Sequence, residues 1–168
     1  MKIAKQITIA ILVLIVFQGC GIYSFSGISI SPETKTFQVN FFQNQAPRVT
    51  PGIDQTFTNQ LQDLIQNQTN LSLTTSGGDI VYEGEITQDY VSPTTATSEI
   101  TAAQNRLTIA VNLRFYDAKD PTKDLDQRFT YFYDYPSSTS ENTIRAEAEE
   151  IIFERITQDI FNATLARW

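Results

Sequence analysis

The rhythm of apolar and polar positions changes several times along this chain. Residues 7–17 run apolar except for Thr8, which is short of the ~20 residues that span a membrane. Thr36-Phe37-Gln38-Val39-Asn40-Phe41-Phe42 alternates with period two and predicts a strand. Residues 43–51 carry Pro47 and Pro51 and read as a loop, with a helix starting at Thr50 or Pro51. Ile53, Phe57, Leu61, Leu64 and Ile65 then form one stripe at helical spacing, which fades near residues 67–70.

Leu71-Ser72-Leu73 predicts a short strand, and Ser76-Gly77-Gly78-Asp79 has turn chemistry. Residues 80–87 open a long strand that reaches Val91, and the polar, Thr-rich residues 92–103 read as a hairpin loop. Leu107, Ile109, Val111, Leu113 and Phe115 alternate strictly. Residues 117–124 are a charged turn, and Phe129, Tyr131, Tyr133 and Tyr135 alternate along a last strand. Ser138 and Glu141 have capping-box spacing. Ile144, Ala148, Ile151, Ile152, Ile156, Ile160 and Leu165 follow as the apolar stripe of a final helix of about 25 residues. Its acids Glu147, Glu149, Glu150 and Glu154 lie toward the N-terminal half, with Arg167 at its end, as the helix dipole favours.

This order predicts an α+β fold: a small mixed β-sheet with two α-helices packed on one face, in the order β-α-β-β-β-α with room for a short extra strand. The strand–helix–strand unit at the start implies a parallel pair with a right-handed crossover. Phe37, Val39, Ile80, Ile86, Leu107, Ile109, Val111, Leu113 and Phe129 are expected to face the helices. Glu83, Glu85, Asp89, Thr108, Asn112, Arg114, Asp126, Arg128 and Thr130 are expected on the opposite face. There Arg114 and Arg128 could pair with Glu83 or Glu85.

Composition narrows the chemistry. The 168 residues include no histidine and one cysteine, with a formal charge of −7. That excludes a Ser-His-Asp triad, imidazole acid–base work, an internal disulfide and a zinc ribbon. The acidic balance argues against nucleic acid as a partner. Glu83 and Glu85 share a strand face about 7 Å apart by strand rise. They read either as an acid–base pair for a hydrolase or as two solvated acids. The acids of residues 117–126 lack calcium-loop spacing, and Ser76-Gly77-Gly78 lacks the spacing of a phosphate loop. No metal site and no cofactor are expected. Tyr131, Tyr133 and Tyr135, beside Phe132, read either as core under the final helix or as a partner-contact surface.

The N-terminus reads as an address. Lys2 and Lys5 precede the apolar run, and Gly19-Cys20 follows it. This fits a secretory signal over residues 1–19; the alternative is a buried N-terminal strand or helix. Gly19-Cys20 resembles the lipobox of bacterial lipoproteins, although Phe17 and Gln18 depart from its usual residues. That resemblance implies cleavage before Cys20 and acylation of its thiol, where two or three chains anchor stably at ~0.8 kcal/mol per buried CH₂. A free thiol is the alternative. Residues 20–35, rich in Ser and Gly, then form a lipidated tether ahead of a single domain over residues 36–168. Cleavage removes Lys2 and Lys5 and moves the formal charge from −7 to −9.

Cys20-Gly21-Ile22-Tyr23-Ser24-Phe25, Thr36-Phe37-Gln38-Val39, Asn70-Leu71-Ser72-Leu73, Glu83-Gly84-Glu85-Ile86 and Ala103-Gln104-Asn105-Arg106-Leu107-Thr108-Ile109 occur in that order before a long C-terminal helix. Together they resemble the LptE family of outer-membrane lipoproteins, in the form found in Bacteroidota. The resemblance implies a non-enzymatic role in lipopolysaccharide export, as a plug inside the LptD β-barrel that assists its assembly. A lipid-anchored binding or adhesion module of the envelope is the alternative. Enterobacterial relatives have basic residues linked to lipopolysaccharide near the strand 3–4 loop and before the last helix. Here residues 92–105 and 136–143 contain no Lys or Arg. Direct lipid binding is therefore expected to be weak or cation-assisted. Arg106, Arg114, Arg128, Tyr131, Tyr133 and Tyr135 are the candidate barrel or lipopolysaccharide contacts.

Overall fold

The computed structural model describes residues 30–94 and 103–166. The expected signal over residues 1–19, Cys20, most of the tether, the hairpin tip at 95–102 and Arg167 lie outside the described residues.

Period-two segments become strands and helical stripes become helices. The order is β1 (Thr36–Val39), β2 (Gln43–Asn44), α1 (Ile53–Gln68), β3 (Ser72–Leu73), β4 (Ile80–Thr94), β5 (Gln104–Asp117), a 3₁₀ turn (Pro121–Lys123), β6 (Leu125–Pro136) and α2 (Glu141–Thr164). The sheet runs β3-β1-β4-β5-β6, and β2 adds to β4 beyond the end of β1. β1 is parallel to both β3 and β4, and β2 is parallel to β4. β4, β5 and β6 form an antiparallel meander. The expected α+β architecture and the short strand near Leu73 are both present. The unexpected strand is β2, which lies inside the segment read as a loop.

The two helices cover one face. Phe42, Phe57 and Phe153 meet edge-on, with ring centroids 5.1 and 5.2 Å apart, and join the β1–β2 connection, α1 and α2. Rings so arranged contribute about 0.5–1.5 kcal/mol per pair beyond their burial. All the residues assigned to the helix-facing side of the sheet are buried. Tyr82 joins them, and its hydroxyl lies 3.0 Å from Thr164 Oγ1 at the end of α2. Burial pushes the Tyr82 phenol well above its usual pKa.

The helix starts differ from the sequence reading. α1 begins at Ile53, after Pro51 and after Gly52, which sits at φ 81° as the N-cap without a side-chain cap. The left-handed turn there is one that glycine adopts without strain. Thr58 was not part of the expected stripe. It is buried, and its hydroxyl accepts from Phe42 N at 3.1 Å while donating to Asp54 O at 2.8 Å. α2 begins after Ser140, and no capping box forms between Ser138 and Glu141. The Glu141 carboxylate is taken by Arg48 and Arg145 instead. Ile151, assigned to the core stripe, is 38% exposed, and Phe153 and Phe161 are buried in its place.

Asp89 does not lie on the solvent face of the sheet where plain alternation puts it. β4 follows the expected alternation only to Ile86, which lies opposite Val111; Gln88 then lies opposite Ala110. Thr87 is the extra residue of a β-bulge, and a one-residue slip exchanges the two faces of a strand. Asp89 therefore turns to the helix side, opposite Ile109, and is 2% exposed.

Candidate functional site

On the solvent face of the sheet, the bulge separates a charged half from an aromatic half. In the charged half Arg114 sits opposite Glu83 on the neighbouring strand. Its guanidinium reaches Glu83 Oε1 at 3.2 Å and Glu85 Oε2 at 3.1 Å. Asn40 Nδ2 donates to Glu83 at 3.2 Å, and Asn112 Nδ2 to Glu85 at 3.3 Å. These bonds to the two acids raise the Arg114 pKa further. The expected pairing of Arg114 is thus present. Arg128 lies opposite Asn112, one strand too far from β4, and no ion pair joins it to a described residue. The two glutamates are held by one cation and do not stand free as an acid–base pair.

In the aromatic half, Tyr90, Thr108 and Phe132 lie in one row across three strands. Tyr90 and Phe132 are exposed. Arg106 makes a two-pronged ion pair with Asp134, with both nitrogen–oxygen distances 2.7 Å. Its guanidinium carbon also stands 3.6 Å from the centroid of the Phe132 ring. Such stacking over a ring face is worth about 0.5–1 kcal/mol at an exposed site.

The tyrosine row points the other way. Tyr135 is buried, and Tyr131 and Tyr133 are half-buried against the core beneath α2. Tyr133 Oη donates to Glu147 Oε1 at 3.4 Å, and desolvation together with that acid raises its pKa. Tyr131 is linked outward. It stacks on Phe132 with centroids 5.7 Å apart, and Arg155 of α2 stands 5.8 Å from its ring. Arg106, Phe132, Tyr131 and Arg155 form one stack that wraps the rim of β6. Beside it, Tyr131, Ile151, Glu154, Arg155 and Gln158 line a surface hollow of about 250 Å³.

The most connected charged group was hidden from sequence reading. Arg145 Nη1 donates to Asp89 Oδ1 at 2.9 Å and to Glu141 Oε1 at 3.0 Å. Nη2 donates to Asp89 Oδ2 and to Thr50 Oγ1, and Nε to Glu149. Thr50 Oγ1 in turn donates to Asp89 Oδ2 at 2.6 Å, and Arg48 Nη1 lies 2.7 Å from Glu141. The cluster ties the loop before α1, the outer half of β4 and α2 together. Burial works against the Arg145 charge, but the bonds to Asp89 and Glu149 outweigh it and raise its pKa. The one available signal was Thr87-Gln88, polar residues where an unbroken strand would bury position 88.

A second clamp stands where the chain enters the sheet. Asp79 Oδ2 accepts from Lys35 N at 2.9 Å, Thr36 N at 3.0 Å and Thr36 Oγ1 at 3.0 Å, and Lys119 lies 3.3 Å from Oδ1. The two backbone amides and the hydroxyl hold this carboxyl well below the usual carboxylate range.

Among the described residues, no group of three or more His, Cys, Asp or Glu is placed to hold a metal ion. No described helix is long and apolar enough to cross a membrane, which says nothing of strands. The arrangement offers fixed charges and aromatic faces for contact.

Solved structures resemble this fold at low sequence identity. The protein CT253 of Chlamydia trachomatis matches with a TM-score of 0.52 at 9% identity, covering 80% of this chain and 99% of that one. The rare lipoprotein B of Shewanella oneidensis matches at 0.44 and 12% identity, covering 75% and 89%. A minor lipoprotein of Acinetobacter baumannii matches at 0.42 and 13%, covering 73% and 87%. Among curated proteins, none matches the chain in sequence. The LptE model, described as lipopolysaccharide-assembly, matches residues 34–164. That span takes in every strand and both helices of the described residues, and the chain belongs to the LptE family.

Proposed function

We propose that this chain is an outer-membrane lipoprotein, anchored by acyl chains on Cys20, that plugs an LptD-like β-barrel and assists its assembly for lipopolysaccharide transport to the outer leaflet. The observation that carries this reading is the family match over residues 34–164. The solvent face of the sheet supports it. That face is polar and holds ion pairs between strands, Arg114 with Glu83 and Glu85 and Arg106 with Asp134, so it suits a hydrated barrel interior.

In this reading the protein works by shape and position, without catalysis. Lipopolysaccharide contact is weak or cation-assisted. Arg106 is already engaged by Asp134, and the acidic chain repels an anionic glycolipid within a Debye length of about 8 Å. The test is purification of the tagged full chain from its native outer membrane. A β-barrel protein in stoichiometric yield is expected, and depletion of the chain should lower surface lipopolysaccharide. Recovery of the chain alone, with surface lipopolysaccharide unchanged on depletion, overturns the reading.

A further inference from the structure

A second hollow lies where the chain enters the sheet, on the β3 side and far from β6. It holds about 440 Å³ between residues 30–35 and the end of α1 with the residues after it, 67–71. That is within the ~300–1,000 Å³ of small-molecule sites. One wall is a turn closed by Thr34 N, which donates to Ser31 O at 3.0 Å. Thr34 is 4% exposed, and its hydroxyl is buried without a hydrogen-bond partner. Buried polar groups in native folds are almost always paired, so an orphan asks for a partner. The other wall is the C-terminal end of α1. The last carbonyls of a helix need donors from outside it, and α1 has no basic side chain in its last turn. Gln68 makes one long side-chain bond, its Nε2 3.4 Å from Gln158 Oε1. The side chains of Asn67 and Asn70 make none to the described residues.

We infer that this hollow is a binding site for a neutral saccharide. No carboxylate lines it, and Lys35 is its one cation, so charge does not select the ligand. Each free amide both donates and accepts, as does each hydroxyl of a sugar. Ile30 and Leu71 add an apolar surface for the C–H face of a pyranose ring. A sugar seated there supplies the partner that the Thr34 hydroxyl lacks and donors for the last carbonyls of α1. A glycan with N-acetylated rings and one of plain hexoses share this chemistry, and two probes separate them.

The site does not rest on the barrel reading, and either can fail alone. Isotope-labelled full chain in a sugar-free detergent is titrated with diacetylchitobiose and, separately, with maltose, each at millimolar concentration. Saturating shifts of the amides of residues 34–35 and 67–71 in NMR spectra are expected with at least one of them, with β6 unmoved. Shifts with the first alone mark an N-acetylated glycan as the ligand, and shifts with the second alone a plain hexose. Thr34→Val keeps the shape of the side chain and removes the hydroxyl. It should weaken binding roughly tenfold, the worth of one hydrogen bond, without lowering the urea midpoint, because an unpaired polar atom is lost. Asn70→Ala should also weaken binding. No saturating shift with either sugar, shifts spread over the whole surface, or a Thr34→Val variant that binds like wild type overturns the proposal.

Discussion

Asp89 and Arg145 face each other fork to fork, with the aspartate side chain fully shielded and the arginine 14% exposed. They are 56 residues apart in sequence and join the outer half of β4 to the first turns of α2. Removing one member of such a pair strands the other charge in a dry site. Arg145→Ala is expected to destabilise the chain by about 3–5 kcal/mol, read from urea unfolding midpoints. Replacing both together, Asp89→Leu with Arg145→Met, should recover part of that loss, because no buried charge is then left uncompensated.

The bulge at Thr87 is what brings Asp89 to Arg145. Deleting Thr87 alone would keep Gln88 opposite Ala110 and Asp89 toward the helices, but deleting Thr87 and Gln88 together sets Asp89 directly after Ile86, which sends it to the solvent face and turns Tyr90 toward the helices. The expected result is a lower thermal midpoint and faster hydrogen exchange in the outer half of the β4–β5 hairpin. Exchange confined to its wild-type pattern would contradict this account of the bulge.

Asp79 sets a pH dependence. Its carboxyl lies well below the ordinary value in the folded chain, so the unfolded chain takes up the proton first as pH falls. The stabilisation is fully present above the unfolded value of about 4 and is lost as pH drops toward the folded one. Asp79→Asn should therefore be less stable than wild type at pH 7, and the gap should narrow below about pH 4. Paired urea titrations across that range measure it.

Gly84 and Arg114 should behave oppositely although they lie side by side. A Cβ on Gly84 would stand 2.0 Å from the Asn112 carbonyl oxygen and 2.7 Å from the Phe42 ring. Backbone must move, so Gly84→Ala should cost at least the ~1–3 kcal/mol of ordinary overpacking. Arg114 is 35% exposed, and Arg114→Ala should change stability by less than about 1 kcal/mol. Unfolding midpoints of the two variants decide both.

How much was legible follows from how local each signal is. Leu107 to Phe115 and the stripe from Ile53 to Ile65 announced their strand and helix, since each buries one unbroken face. Plain alternation puts Asp89 on the wrong face because a bulge shows only as two polar residues in a row, while the partner that rewards it lies on α2. β2 leaves no mark in the sequence because two residues carry no periodicity, and its pairing is supplied by β4. Period two put Tyr131, Tyr133 and Tyr135 on one face, but it could not say that α2 lies over that face. The stack of Arg106, Phe132, Tyr131 and Arg155 joins β5, β6 and α2 and has no one-dimensional signature. The match of charges between Glu83, Glu85 and Arg114 was legible, because neighbouring strands of a meander fix their own register.

β1 is only four residues long, yet it is an inner strand, laddered to β3 on one side and β4 on the other. The chain arrives there through Lys35 and Thr36, whose amides are fastened to Asp79. A pull on the segment before residue 30 is therefore carried in shear by two parallel ladders at once, and it does not unzip an outer strand bond by bond. The globule can be held by its N-terminal side under load while its opposite edge, β6, bears none of the tension.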